Sequence, residues 1–168
     1  MPISMYQASI PHFVLMLGNL SSILDKASTH AEAKKIDQAV FINARLAPDM
    51  YPLSRQIQIS ADMSKACATR LAGIEVPRYE DNETTLAELQ VRIAKTIAFL
   101  QSVSADQIDG SEERTVTIKM HDKEIVYFGQ HYLLDIIIPH FYFHVTTAYA
   151  ILRHHGVDIG KSDYINNE

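Results

Sequence analysis

Two histidines supply the clearest candidate chemistry in the chain. His140 and His144 lie four residues apart in the stretch GQHYLLDIIIPHFYFHVTTAYAILRHHG, residues 129–156. On a helix, residues at this spacing are neighbours on one face. Such a pair offers two ligands to a divalent metal such as zinc or nickel. A third ligand from elsewhere would complete a site that leaves one position open for water. His12, or a side chain of the second helix, is the candidate for that third place. The same spacing also fits two buried histidines hydrogen-bonded to polar side chains such as Gln56 or Thr147. Burial favours the neutral ring in both cases, and neutral imidazole is the form that binds metal.

The helix that must carry this pair is the most apolar stretch of the chain. From Gly129 to Leu152 the only Asp, Glu, Lys or Arg is Asp135. A helix with so little polar surface is covered on several sides. It is predicted to run unbroken across Pro139, with a kink within a turn of it. Three further helices follow from periodicity and end signals. The first spans Ser4 to about Thr29, with Ser4 and Gln7 at capping-box spacing and a restart near Ile10 forced by Pro11. A short turn is predicted at Ala31–Lys35, and residues 37–46 read as irregular or as a second turn. Asp49 is the expected N-cap of the second helix, Met50 to Leu71 or Ala72, which Gly73 stops. Leu53, Ile57, Met63, Cys67 and Leu71 form its expected inner face. Arg55, Gln58, Asp62, Lys65 and Arg70 are expected mostly outside.

The loop from Ile74 to Glu83 carries Pro77 and the acidic run Glu80-Asp81-Asn82-Glu83. The third helix starts near Thr85, which has capping-box spacing with Glu88, and fades at Ser102–Ser104. Residues 106–113 read as a polar loop. Thr115–Lys119 and Glu124–Phe128 flank the turn His121-Asp122-Lys123 and predict a β-hairpin. Residues 157–168 read as a tail without fold of their own. The sum is one all-α domain over residues 1–168, a four-helix bundle with a small β-hairpin before the last helix.

Composition narrows the function classes. The 168 residues are 47% hydrophobic with a net charge of −5, which gives no basic footprint for nucleic acid. Cys67 is the only cysteine, so neither an internal disulfide nor a cysteine cluster is possible. No Lys or Arg precedes the apolar run Phe13–Leu17, unlike a secretory signal, and no apolar run is long enough to span a membrane. A cytoplasmic protein without membrane contact is expected. Met16, Ile23, Tyr142 and Tyr149 widen the apolar faces of the first and last helices beyond what a bundle core uses, which predicts a homodimer.

Other reactive side chains have plainer readings. Phosphate-binding glycine loops and nucleophile elbows are absent. Cys67 sits at a core position of its helix. Arg45 and Asp49 could act as anion clamp and acid, but a helix cap and an ion pair explain them as well. Arg153, His154 and His155 suit the C-terminal end of a helix dipole. Tyr127, Tyr132, Tyr142 and Tyr149 read as core or dimer-interface aromatics.

The strings RLAPDMYPLSRQIQ (45–58) and PHFYFHVTTAYAILRHHGVDIGK (139–161) resemble an uncharacterised bacterial domain family grouped with the DinB-like (YfiT-like) metalloenzymes. The resemblance covers essentially the whole chain. It implies an up-down-down-up bundle, often dimeric, with a site between helices. In DinB-like metalloproteins a histidine of the second helix joins an H-x-x-x-H pair on the last one. The relatives include thiol transferases and an isomerase that uses a thiol cofactor. Only the pair His140 and His144 carries over. The second helix here has no histidine, and Gln56 or Gln58 stands nearest the expected place, with Met50 and Asp62 as other residues that could approach. The expectation is a divergent DinB-like protein of unknown activity. A small interhelical pocket around His140 and His144, lined by Gln56 and His12, would hold a small molecule. The alternative is a divalent-metal enzyme of thiol transfer or hydrolysis.

Overall fold

The computed structural model describes residues 2–120 and 122–165. Its elements run α1 (Ile10–Lys34), α2 (Gln38–Ile42), α3 (Leu53–Ala72), α4 (Leu86–Gln101), α5 (Ala105–Ile108), β1 (Thr115–Met120), β2 (Lys123–Phe128), α6 (Gly129–His131), a π-helical segment (Tyr132–Ile137), α7 (Ile138–His154) and α8 (Lys161–Ile165). The long helices α1, α3, α4 and α7 form the bundle. Within it α3 packs along both α7 and α4, and α1 packs along α4.

Helix α1 begins at Ile10 rather than Ser4, with Pro11 in its first turn. Pro11 lacks a backbone N–H, so it fits only where that donor would have no helical partner. Ser4 and Gln7 do form the expected reciprocal bonds, Ser4 N to Gln7 Oε1 and Gln7 N to Ser4 Oγ, both 3.2 Å, but they close the turn that precedes the helix. The predicted turn at 31–35 is the end of α1 itself. Lys35 closes it in the left-handed region at φ 56°, and Ile36 N bonds back to Ala31 O at 2.9 Å. Asp37 caps α2 through Ala39 N.

Helix α3 starts at Leu53, so Asp49 is not its cap. Pro52 occupies the N-cap position, and Leu53 N is satisfied by Ala44 O instead. Gly73 stops the helix at φ 69°, as expected. Thr85 and Glu88 complete the predicted capping box of α4. The polar loop expected at 106–113 opens with α5, a single turn that places Ile108 in the core.

The hairpin forms as predicted, with Thr117 opposite Val126, and the strands are each one residue longer than expected. Of its turn, His121 lies outside the described residues. Gly129 joins β2 to the last helix where only glycine fits, because a Cβ there would lie 2.0 Å from Ser111 O. The backbone from Gly129 to His154 is helical throughout. Pro139 is the second residue of α7, directly after the π-helical segment. That wider turn absorbs the missing donor, and the insertion lies beside the histidine pair.

The tail is structured, contrary to expectation. Asn19 Nδ2 donates to Tyr164 O at 2.9 Å, Lys26 pairs with Asp163 at 2.6 Å, and Tyr164 packs edge-on against Tyr149. Met16 and Ile23, expected as surplus outside the core, are buried within this chain, and Tyr142 and Tyr149 are half-buried. Among the described residues no helix is long and apolar enough to cross a membrane.

Candidate functional site

The seam between α3 and α7 holds the polar core of the expected site. His144 is buried, 6% exposed, and its Nδ1 lies 2.6 Å from Gln56 Oε1. Gln56 is buried too, and its Nε2 donates to Tyr51 O at 2.9 Å. That bond fixes which end of the amide is nitrogen. Oε1 must then accept from His144, so Nδ1 carries the imidazole proton and Nε2 keeps its lone pair. Burial pushes the His144 pKa down to about 4, and the neighbouring His140 and Arg55 add to the same shift. The ring is neutral at pH 7. The result is a fixed neutral base whose tautomer is set by a backbone carbonyl through one amide.

His140 departs from expectation. Its ring stands 4.9 Å from that of His144, centroid to centroid, but the residue is exposed rather than turned into the bundle. It sits one turn nearer the π-helical segment, on the outer edge of the seam. Phe143, 55% exposed, meets the His144 ring edge-on at 5.2 Å on the same outward side.

His12 is not part of this arrangement. It is exposed and lines a separate cleft of about 260 Å³ with Phe13, Ile138 and Tyr142. Neither His140 nor His144 lines that cleft or a second one, of about 350 Å³, between Leu46 and Tyr142. Among the described residues no group of three or more His, Cys, Asp and Glu is placed to hold a metal ion. Gln56 stands beside the pair, but its oxygen is already engaged by Nδ1–H, and an amide is a poor ligand for zinc or nickel. The residues present do not fit the three-ligand metal centre that the family resemblance implies.

The remaining sequence candidates have structural duties. Arg45 donates to Met50 O. Burial pushes the Cys67 thiol pKa up, far from the thiolate that nucleophilic chemistry needs. Tyr132 is fully buried in the core, and His155 Nδ1 bonds Ile151 O at 2.8 Å at the end of α7.

A second polar centre, on the other flank of α3, escaped the sequence reading. Arg92 of α4 is 3% exposed and bonds Asp62 at 3.0 Å, Asp81 at 2.9 Å, Glu83 at 2.8 Å and the Glu80 carbonyl at 3.1 Å. Lys65 pairs with Asp62 at 3.0 Å, and Gln58 Nε2 donates to Glu83 at 2.9 Å. Gln58 and Lys65, expected outside, are both buried. They are covered by the acidic loop, which Arg92 draws onto the bundle. The only sequence signal was a cation on the edge of the α4 apolar stripe.

The fold defines the class: a DinB-like helical bundle of up-down-down-up order. The chain belongs to the family described as Domain of unknown function (DUF1993), which matches residues 5–165. It is similar to a DinB family member protein from Shewanella denitrificans whose crystal structure was determined at 1.83 Å resolution. The two share 40% sequence identity over 97% of this chain and 92% of that one, with a TM-score of 0.87. No curated protein matches the chain.

Proposed function

We propose that the chain is a DinB-like bundle protein that binds a small hydrogen-bond donor at the α3/α7 seam through neutral His144, without a tightly held metal. The observation that carries this reading is the chain of bonds from Tyr51 O through Gln56 to His144 Nδ1. It leaves Nε2 as a fixed acceptor, and exposed His140 stands beside it on the outer edge of the seam. The closeness of the two imidazoles supports a second reading, a zinc or nickel ion held by both in an enzyme of thiol transfer or hydrolysis.

Metal analysis joined to ¹⁵N NMR of the histidine rings separates the two. The first reading expects protein purified without chelators to carry far less than one equivalent of metal, with His144 protonated at Nδ1 at pH 7. A full equivalent that disappears in His144→Ala would overturn it in favour of the metal enzyme. A His144 protonated at Nε2 would overturn the fixed acceptor.

A further inference from the structure

Away from the histidines, a cleft of about 350 Å³ lies between α3 and the loop that follows it. Its wall holds three cations, Lys65, Arg70 and Arg78, and one carboxylate, Asp62. Asp62 is already matched by Lys65 and Arg92, each at 3.0 Å. The cleft is thus left with an excess of positive charge, in a chain whose net charge is −5. Val76 and the Tyr79 ring add apolar surface.

Each cation stands differently. Lys65 Nζ uses its donors on Asp62 and on Pro77 O, and lies 3.4 Å from the Tyr79 ring centre, so it contributes charge more than a free donor. Arg70 donates from one terminal nitrogen to the Tyr132 hydroxyl at 2.6 Å. Burial raises the Tyr132 pKa to about 12, so that phenol is a neutral partner and leaves the guanidinium charge unmatched. Arg78 is exposed and, among the described residues, makes no side-chain hydrogen bond or ion pair. Two guanidinium groups without carboxylate partners among the described residues, one of them held in place, are suited to bidentate capture of a carboxylate or phosphate.

We propose that this cleft binds a small anion, a carboxylate or phosphate on a compact apolar body, through Arg70 and Arg78. The apolar body would rest on Val76 and Tyr79. This site is independent of the histidine seam and stands whether or not that seam binds a ligand.

Amide and arginine-side-chain NMR of the full chain tests it with three probes of one shape: benzoate, phenyl phosphate and benzyl alcohol. At least one anion is expected to shift the signals of Ala66, Arg70, Val76, Arg78 and Tyr79 in a saturable way. The tighter of the two anions then identifies the headgroup. Losing one charge-assisted contact in Arg78→Gln is expected to weaken that binding about tenfold. Among the described residues Arg78 has no side-chain partner to lose, so this variant should fold as the parent does. Arg70→Lys keeps the charge but not the fork, and should weaken binding also. Binding should fade in high salt. The proposal is overturned if neither anion perturbs the cleft, if benzyl alcohol binds as well as the anions, or if both variants bind like the parent.

Discussion

His144 and Arg92 reach α3 from its two neighbours, α7 and α4, and both are almost fully buried. Their surroundings differ because their chemistry differs. An imidazole can release its proton, so burial turns His144 into a neutral ring whose Nδ1–H is accepted by one amide. A guanidinium cannot, so the structure must come to it. Three carboxylates and a carbonyl surround Arg92, and three of these four groups belong to the loop between α3 and α4. Two glutamines two residues apart serve the two sides, Gln56 for His144 and Gln58 for Glu83. A titratable side chain adapts to its site, whereas a permanent cation shapes the site around it. That difference gives the Arg92 centre an architectural part and leaves His144 as the buried group that can change its charge with pH.

The comparison breaks most visibly at Arg92. Arg92→Met should cost about 3 kcal/mol in urea unfolding, toward the lower end for a broken buried ion pair. The estimate is low because each carboxylate keeps another partner: Asp62 has Lys65, Asp81 has Arg55 and Glu83 has Gln58. Loop amides at 74–83 should also exchange faster. A stability unchanged within error would mean that the network is incidental to the fold.

His144 should make stability depend on pH in a defined window. Its pKa falls from 6.5 to about 4 on folding. The unfolded chain therefore takes up a proton over that range while the folded one does not. The full contribution is present above pH 6.5 and is lost as the pH falls toward 4. The loss should be about 3 kcal/mol between pH 7 and pH 4. His144→Leu should unfold with less dependence over the same interval. Equal slopes in parent and variant would show that His144 is not the group responsible.

Gln56→Leu gives the smallest change. It leaves the His144 Nδ1–H buried without its acceptor, at a cost of about 1.5 kcal/mol. It should also release the tautomer, seen as mixed Nδ1 and Nε2 protonation in ¹⁵N spectra. A retained Nδ1–H tautomer would show that another group fixes the ring.

Much of the bundle could be read from short-range patterns. The α4 capping box, the Gly73 stop, the hairpin and the helical stretch across Pro139 depend on residues a few positions apart. The His140/His144 neighbourhood was legible for the same reason, since helix geometry fixes it. Asp49 was misread because Pro52 displaced the helix start by three residues, and backbone pairing to Ala44 replaced a side-chain cap. The tail looked formless because its partners, Asn19 and Lys26, lie more than a hundred residues earlier.

By itself, the sequence determined the four long helices, their main apolar stripes and that two imidazoles stand one turn apart. These follow from the 3.6-residue repeat and from caps and stops that act within a single turn. Only the tertiary structure decided that His144 is buried while His140 is exposed, that Gln56 sets the tautomer, and that His12 belongs to another cleft. It alone brought Arg92 to its three carboxylates. A helix repeat places a side chain on a face, but only the packing of one helix on another decides what that face meets.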